Sequence, residues 1–446
     1  MKKVISSLLF LIGCTLIASA QNCNADFLGT KTLYKSNNQK YTPTPIGYDP
    51  VFINHVGRHG ARHLTKEVKT TLAYALLLKA DSLSALTPKG KKLKQMVLAL
   101  QKVEKGNTKF ISTEGREELK GLGERMYNNY SNVFNNKPKL SVAITKEVRT
   151  KQSADAFLEG LNSKLKDSAS ISEYNDDIAL RFYDVSPAYK KFEAGIDDGD
   201  LKLALNRAAH FEEIKKAVTG RFFSPDFLSK INDDDREKFV AEIFGFATIV
   251  YSLNAEIKQA GFQLTDLDFQ SFFTCDELSQ LGLLDAADEN LKKGPGSDNN
   301  GIQVRVAVPL LVDFINTSDE FIKTGKYNAR LRFAHAETIA PFAALLQIAA
   351  ADRASKDPAK LNDLWSASGV IPLSANIQWI FYKKKDAAGY LVKILLNEKE
   401  AHITGLNEKS FPYYKWNDLR ALYIEKLNRL HVKLTNDMAA YLVNLE

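Results

Sequence analysis

Residues 51–62, Val-Phe-Ile-Asn-His-Val-Gly-Arg-His-Gly-Ala-Arg, constrain the fold of this 446-residue chain more than any other segment. The segment opens with apolar and β-branched residues, which favour an extended strand, and its glycines then favour a tight loop. The apolar spacing that follows predicts a helix over residues 65–80. A strand, a basic loop and a helix in this order indicate an α/β sheet, in which ligands bind at the carboxyl ends of the strands.

The composition of this loop favours the binding of a phosphate group. Arg58 and Arg62 each carry a planar guanidinium that can donate to two phosphate oxygens. His59 lies between them, and a neutral imidazole there could attack phosphorus if its other nitrogen donated to the carbonyl of Gly57 or Gly60. The start of the helix predicted after the loop would add free N–H groups and a partial positive charge.

Two later segments follow the same order of strand, polar loop and helix. Residues 140–145 predict a strand, and Arg149 after it is a candidate for a third phosphate ligand or, equally, for a surface salt bridge. Residues 328–333 predict another strand, followed by His335 and Glu337. The alkoxide that leaves a phosphate ester needs a proton, which a carboxylic acid such as Glu337 could donate. Nearby arginines would lower the pKa of Glu337 and a polyanionic substrate would raise it, so we expect the best turnover on the acid side of neutral.

Length and charge narrow the class of protein. The chain is long enough for two domains or for one domain with a large insertion, and 45% hydrophobic with 25% charged residues is a globular composition. The formal net charge is +7, and it falls by two to +5 without Lys2 and Lys3. This mild excess does not indicate a nucleic-acid-binding protein, and it suits a small anionic substrate better.

Residues 1–20 have the pattern of a signal peptide: two lysines, an apolar run and a final Ala-Ser-Ala. We expect cleavage after Ala20 and export to the periplasm or the medium. In an alternative reading, Leu-Ile-Gly-Cys at residues 11–14 resembles a bacterial lipobox, which would leave a lipidated Cys14 on the outer membrane. No later segment has the length and apolar character expected of a transmembrane helix.

The remaining cysteines and the clustered histidines raise two further questions. Cys23 and Cys275 could form one disulfide or remain independent, because sequence does not show their distance. His55, His59 and His63 are spaced four residues apart and could bind zinc from one face of a helix. The glycines between them and the extended approach disfavour that helix, so we expect no metal in the site.

The domain organisation follows from a change in periodicity. Residues 21–165 and 294–446 predict a doubly wound α/β sheet domain. Residues 166–293 lose the alternation typical of strands and predict a mostly helical domain inserted in the first.

Three more elements are predicted in the carboxyl-terminal half. Residues 301–322 favour a helix that Pro309 bends. Residues 377–382 and 390–396 predict a β-hairpin, and residues 416–445 predict one closing helix.

Together, these motifs resemble those of the histidine acid phosphatase family. The resemblance rests on Arg58-His59-Gly60-Ala61-Arg62, on Glu114-Gly115-Arg116 at the start of a helix predicted over residues 113–130, on Arg149, and on His335-Ala336-Glu337. Many family members have His-Asp at the last position, whereas His-Ala-Glu is similar to the multiple inositol polyphosphate phosphatase branch, as is Arg181-Phe182-Tyr183-Asp184. Leu64 departs from the proline that the family often has two residues after the second arginine.

The resemblance implies a two-domain fold with the active site between the domains and no metal or organic cofactor. It implies that His59 becomes a phosphohistidine, that Glu337 donates the proton, and that four residues bind the phosphate: Arg58, Arg62, Arg149 and His335. Thr65 and Lys66 lie where related phytases place a substrate contact, and Lys66 is the first candidate for a second phosphate group. Arg181 could reach the cleft or be purely structural.

The implied function is an exported phosphatase (a phytase) that acts on inositol hexakisphosphate and lower inositol polyphosphates. A broad acid phosphatase for sugar phosphates or nucleotides is the nearest alternative. A phosphate-binding protein without turnover is a third, and it would require His59 or Glu337 to lie away from the site.

Overall fold

The computed structural model describes Cys23 and residues 25–36, 40–197 and 199–446. The predicted signal peptide, its cleavage after Ala20 and the alternative lipidation of Cys14 lie outside these described residues. Cys23 and Cys275 form a disulfide, which answers the question that the sequence left open.

One mixed sheet forms the centre of the molecule. Its strands are β1 (Tyr48–Arg58), β2 (Lys139–Ile144), β3 (Ser170–Asn175), β4 (Ala329–Ala334), β5 (Asn376–Lys384), β6 (Leu391–Leu396), β7 (Lys399–Glu400) and β8 (Tyr414–Lys415). Their order is β3-β2-β4-β1-β5-β6-β7, with β8 paired to β6. Strands β1 to β4 are parallel and β5 runs antiparallel to β1, so the carboxyl ends of four strands meet at one edge.

Helices surround this sheet and form most of the segment between β3 and β4. The α-helices are α1 (Leu72–Ser82), α2 (Pro88–Glu104), α3 (Thr113–Tyr130), α4 (Val148–Asn162), α5 (Asp177–Leu180), α6 (Phe182–Val185), α7 (Pro187–Asp197), α8 (Asp200–Ala208), α9 (Phe211–Gly220), α10 (Pro225–Leu228), α11 (Asp233–Ile249), α12 (Asn254–Gln259), α13 (Cys275–Lys293), α14 (Ile302–Arg305), α15 (Val308–Thr324), α16 (Ala336–Leu345), α17 (Leu361–Leu364), α18 (Ala367–Val370), α19 (Trp416–Arg429) and α20 (Met438–Val443). Short 3-10 helices span Ala25–Lys31, Val68–Thr70, Ser131–Phe134, Val250–Leu253, Leu264–Leu267, Phe269–Phe272, Pro358–Lys360 and Glu408–Ser410.

The extended strand predicted from the apolar residues after Pro50 is β1, and it is buried on both faces of the sheet. Phe52 and Val56 pack on the face covered by α15, α16 and α19. Ile53 packs on the opposite face, which α3 and α4 cover. Side chains alternate between the faces of a strand, and helices on both faces make the sheet doubly wound, as predicted.

The helical domain predicted over residues 166–293 differs from the structure in two ways. One strand within these bounds belongs to the sheet, and two helices outside them pack with the helical segment. Strand β3 lies within residues 166–293, yet it pairs in parallel with β2 as an edge strand. All six of its residues are exposed, so it lacks the apolar alternation by which a strand is recognised in sequence. Helices α1 and α2, placed in the sheet domain by sequence, pack into one apolar core with α9, α11 and α13.

The helix predicted over residues 65–80 begins later, at Leu72. Thr71 is its N-cap, and its hydroxyl accepts a hydrogen bond from the backbone N–H of Tyr74. The preceding residues instead bind the segment before α3, since Arg62 forms a β-bridge with Ile111. The prediction that this helix start lies beside the basic loop is therefore wrong.

Two other predictions from the carboxyl-terminal half need correction, and one is confirmed. The helix predicted over residues 301–322 is two helices, α14 and α15, and Pro309 lies in the first turn of α15, where proline is tolerated, instead of bending one continuous helix. The closing helix is two helices, α19 and α20, because the carboxylate of Asp437 caps a new start by accepting from Ala439 and Ala440. Strands β5 and β6 form the predicted hairpin.

Residues Asp233–Gln259 form the one helical run in the described chain that is long and apolar enough to cross a membrane. From the sequence, no segment after the predicted signal peptide was expected to have this length and apolar character. Within its apolar stretch, 61% of the residues are buried in the molecule, as in the core helix of a folded domain.

Candidate active site

Three segments that the sequence predicted to carry reactive groups meet at the carboxyl edge of the sheet. Arg58 and Ala334 are paired in register, so His59 and His335 are the first residues beyond two adjacent strands. Their ring centroids are 5.6 Å apart. Thr145, the first residue after β2, lies with its Oγ1 3.1 Å from Nε2 of His335. Parallel pairing therefore gathers the predicted groups in one place.

His59 has the orientation that a nucleophilic imidazole requires. Its Nδ1 lies 2.9 Å from the carbonyl oxygen of Gly60, one of the two predicted partners. A carbonyl only accepts, so Nδ1 carries the hydrogen and Nε2 keeps its lone pair. Burial, then the charges of Arg58 and Arg62, hold the pKa of His59 well below its usual range. Both effects favour the neutral imidazole, the form in which Nε2 can act as a nucleophile.

The two arginines of the loop are fixed by backbone carbonyls. Arg58 is buried, and its Nη1 donates to the carbonyls of Thr30 at 2.8 Å and Ile371 at 2.5 Å. Its Nε has no partner among the described residues, which leaves a buried donor for an anion. Nη1 of Arg62 donates to the carbonyl of His63 at 2.8 Å. Burial and the neighbouring arginines lower the pKa of Arg62 to about 10, so it stays charged at neutral pH.

Arg149 joins this cluster from the first turn of α4. Its Nη2 lies 3.2 Å from Nδ1 of His335. A guanidinium only donates, so Nδ1 of His335 accepts, and its Nε2–H donates to Thr145. Burial and the charge of Arg149 lower the pKa of His335 to about 3, which keeps this second imidazole neutral.

Arg181 lies behind Arg149 and is joined to it by Glu147. The two carboxylate oxygens of Glu147 accept from Nη1 of Arg149 at 2.8 Å and Nη1 of Arg181 at 2.7 Å. Arg181 also donates to Asp184 at 2.8 Å. Burial alone would raise the pKa of Glu147, but the two arginines hold it below its usual range. Both bonding partners of Arg181 are thus carboxylates, which fits the structural role left open by the sequence.

Glu337 lies in the first turn of α16, two residues after His335. Its Oε1 is 3.1 Å from Nζ of Lys293, which ends α13. Burial raises the pKa of Glu337, but the charge of Lys293, followed by that of Arg58, holds it well below its usual range. The sequence attributed this lowering to arginines, whereas the largest charge contribution comes from Lys293.

The basic loop packs against the start of α3 more closely than any side chain would allow. A Cβ on Gly60 would lie 2.6 Å from the carbonyl oxygen of Gly115. A Cβ on Gly115 would lie 2.1 Å from the carbonyl oxygen of Ala61. Glu118 of the same helix accepts the N–H of Ala61 at 3.0 Å. Gly115 and Glu118 therefore position the loop that carries His59.

A cavity of about 350 Å³ opens beside Arg62. Among the residues that line it, the ionisable ones are Lys31, Arg62, Lys202, Glu237, Asp285 and Asp288. Thr65 lines this cavity as well, whereas Lys66 is exposed and is not part of its wall. Thr65 therefore shares this cavity with Arg62, whereas the structure does not bring Lys66 into its wall.

The other two clustered histidines have separate surroundings. His55 lies within β1 against Phe157 and Phe333, and burial lowers its pKa to about 3. Nδ1 of His63 is 3.2 Å from Glu104. Within the described ranges, no group of three or more His, Cys, Asp or Glu side chains could hold a metal ion.

Sequence reasoning missed Lys293, Glu147 and Glu118. Nothing local distinguishes Lys293 from Lys292, which instead pairs with carboxylates away from Glu337. Glu118 could have been found, because the helical period places it three residues after Gly115 on the buried face.

Comparisons with known proteins agree with this geometry. Multiple inositol polyphosphate phosphatase 1 of Gallus gallus is 22% identical over 448 residues, covering 93% of each chain. The solved structure of Bifidobacterium longum multiple inositol polyphosphate phosphatase with inositol hexasulfate has a TM-score of 0.76 at 20% identity, covering 89% of this chain and 97% of that one. The phytase from D. castellii has a TM-score of 0.64 at 17% identity, covering 92% and 88%. Residues 51–397 match the family model of the histidine phosphatase superfamily (branch 2), and because this match spans most of the 446 residues, the chain belongs to that superfamily.

Proposed function

We propose that this protein is a phosphomonoesterase that hydrolyses inositol hexakisphosphate and lower inositol polyphosphates through a phosphohistidine at His59. The observation that carries the proposal is the hydrogen bond from Nδ1 of His59 to the Gly60 carbonyl. It leaves the lone pair of Nε2 free within a cluster of three guanidiniums, those of Arg58, Arg62 and Arg149.

In the first step, Nε2 of His59 attacks phosphorus and the bond from phosphorus to the ester oxygen breaks. The three arginines neutralise the charge that spreads over the phosphoryl oxygens. Glu337, in its protonated form, gives its proton to the departing alkoxide, which leaves as an alcohol. His335, neutral and hydrogen-bonded to Arg149 and Thr145, fixes the orientation of Arg149 in this step.

In the second step, water attacks the phosphohistidine. Glu337, now a carboxylate, accepts a proton from that water while the bond between nitrogen and phosphorus breaks. Inorganic phosphate leaves, His59 returns to its neutral form and Glu337 is protonated again. Together, the two steps convert one phosphate ester and one water into one alcohol and one phosphate, and they restore His59 and Glu337 without a cofactor.

The choice of substrate is supported by the relatives, since the Gallus gallus and Bifidobacterium longum proteins are both multiple inositol polyphosphate phosphatases. The cavity beside Arg62 supplies Lys31 and Lys202 for further phosphate groups, and Thr65 at its wall. We propose that Lys66 and Arg181 assist substrate binding without contacting the phosphate that is cleaved. Lys66 would act from the exposed loop, and Arg181 would act through Glu147 and Arg149.

One observation favours a broad acid phosphatase as a second candidate. The three cations that line the cavity are matched by three carboxylates: Glu237, Asp285 and Asp288. Lys202, for example, lies 3.0 Å from Asp288. A balanced wall is less selective for a polyanion than a purely basic one.

A comparison of substrates tests the proposal. We expect kcat/KM for inositol hexakisphosphate to exceed that for glycerol 2-phosphate, with phosphohistidine detected by mass spectrometry after an alkaline quench. The variant His59→Ala should lose both turnover and the phosphoenzyme. Equal rates on the two substrates would favour the broad phosphatase, and phosphate binding without turnover would refute both enzymes.

We also propose that the protein is exported, by cleavage after Ala20 or, alternatively, as a lipoprotein anchored at Cys14. The disulfide between Cys23 and Cys275 supports an oxidising compartment. Mass spectrometry of the protein from its native host would distinguish an N-terminus at Gln21 from a lipidated Cys14. A full-length chain with free thiols would refute export.

A further inference from the structure

Lys293 is a buried lysine between two carboxylates at the edge of the active site. Its side chain is 11% exposed, and its Nζ lies 3.1 Å from Oε1 of Glu337. The same Nζ donates to both oxygens of Glu289, at 2.8 Å and 2.7 Å. Glu289 and Lys293 are one helical turn apart on α13, whereas Glu337 belongs to α16. The ammonium group of Lys293 therefore contacts two carboxylates, that of Glu289 on its own helix and that of Glu337, the proposed general acid.

Glu337 is surrounded by ionisable groups from several elements. They are Lys293 of α13, Arg58 and Arg62 of the basic loop, His335 beside α16, Tyr183 of α6, and Tyr189 and Glu193 of α7. Arg58 and Arg62 are committed to backbone carbonyls and to the phosphate site. Lys293 is the nearest cation to the Glu337 carboxylate, at ion-pair distance, and it has the largest charge effect on the pKa of Glu337.

This arrangement opposes the first step of the reaction. Glu337 must carry a proton to release an alcohol, yet Lys293 stabilises its carboxylate form while the two are in contact. A phosphate group next to the one being cleaved would compete with Glu337 for the same ammonium, because a phosphate monoester carries more negative charge than a carboxylate.

We propose that Lys293 is a positioning residue that couples protonation of Glu337 to the arrival of a substrate with a second anionic group. When such a substrate binds, Lys293 turns from Glu337 to the neighbouring phosphate, and the carboxylate takes up a proton from solvent. A simple alkyl monophosphate does not release Lys293, so it meets a general acid that is still ionised near neutral pH. The inference rests on the proposed function, and it names the feature of the substrate that the site detects.

The upper pH limb of kcat/KM tests the hold of Lys293 on Glu337, since it reports the ionisation of the free enzyme, and the limb of kcat tests the coupling, since it reports the enzyme–substrate complex. In the wild type, the kcat limb should lie at higher pH for inositol hexakisphosphate than for glycerol 2-phosphate, and equal kcat limbs would overturn the inference. In Lys293→Met, the kcat/KM limb for inositol hexakisphosphate should move up by about 1–3 pH units, the usual effect of removing an adjacent opposite charge. Glu289→Gln removes a carboxylate that shares Lys293, so its limb should move down. Lys293→Arg keeps the charge and should retain the limb of the wild type.

Two substrates separate this coupling from a general structural effect. With 4-nitrophenyl phosphate, whose leaving group needs no proton, the limb should be the same in all four proteins. Lys293→Met should also gain activity on glycerol 2-phosphate relative to inositol hexakisphosphate at pH 7.

Several results would overturn the inference. They are an unshifted limb in Lys293→Met, shifts of the same sign in Lys293→Met and Glu289→Gln, and equal shifts with 4-nitrophenyl phosphate. If Lys293→Met does not fold, the Glu289→Gln and Lys293→Arg proteins still decide between the outcomes. A wild-type protein that does not hydrolyse inositol hexakisphosphate would contradict the proposed function instead, so the two failures are distinguishable.

Discussion

The substitution Gly115→Ala should damage catalysis through the backbone of the basic loop. An added Cβ would lie 2.1 Å from the carbonyl oxygen of Ala61 and 2.5 Å from its nitrogen. Ordinary contact begins near 3.4 Å, so the loop or the helix must move by about 1.3 Å. Ala61 follows Gly60, whose carbonyl orients His59, and the displacement is therefore transmitted to the nucleophile.

The expected loss can be estimated from this displacement. A misplacement of about 1 Å in an active site can cost about 100-fold in rate. We therefore expect kcat/KM to fall about 100-fold, which corresponds to about 2.7 kcal/mol of transition-state stabilisation. Alanine is a better helix former than glycine by about 1 kcal/mol, and this offsets part of the packing strain of about 1–3 kcal/mol. Activity should consequently fall much more than stability.

Gly121→Ala is the matched control, because Gly121 lies on the same helix, α3. A Cβ there would approach only the flexible end of Arg125, whose Nη1 is 2.9 Å away. Thermal denaturation and steady-state kinetics of both variants are the assay. The reasoning is refuted if Gly115→Ala keeps wild-type kcat/KM, or if both variants lose activity equally.

Three other predictions concern the acid, the buried histidine and the disulfide. Glu337→Gln should lower kcat about 10²–10⁴-fold on glycerol 2-phosphate but far less on 4-nitrophenyl phosphate, since only the first leaving group needs a proton; equal losses would exclude Glu337 as the acid. His55 has its pKa lowered to about 3 in the folded protein, so its contribution to stability is complete above pH 6.5 and is lost as the pH falls toward 3. At 1.36 kcal/mol per pKa unit this amounts to roughly 4–5 kcal/mol, and urea denaturation of His55→Phe should show a shallower loss in acid than the wild type. Replacing Cys23 and Cys275 by serine opens a loop closed across 252 residues and should lower the unfolding free energy by about 5 kcal/mol, and a change below about 1 kcal/mol would contradict this.

Much of the fold was predictable because its signals are local. The apolar run at residues 51–56 predicted an extended strand, and the structure confirms it as β1, buried against helices on both faces. Helix α3 spans Thr113–Tyr130, as its sequence predicted, since Ser112 caps it and its apolar residues follow one period. The hairpin of β5 and β6 is confirmed as well.

The errors arise where distant contacts outweigh local pattern. The start of α1 moved to Leu72 because residues after the basic loop bind the segment before α3, and no local spacing reports that pairing. Strand β3 escaped notice because backbone hydrogen bonds to β2 define it, while its side chains are exposed.

The sequence by itself determined the reactive groups and their order along the chain, because His59 and Gly60 closely follow one predicted strand and the His335-Ala336-Glu337 motif follows another within two residues. Parallel pairing then made their meeting at one edge of a sheet expected. Only the tertiary structure decided that Lys293, from the helical segment, lies 3.1 Å from Glu337 and that Glu147 joins Arg149 to Arg181. Charge acts over a few ångströms of space and not along the chain, so the partners that set the protonation of the site became visible only after the chain had folded.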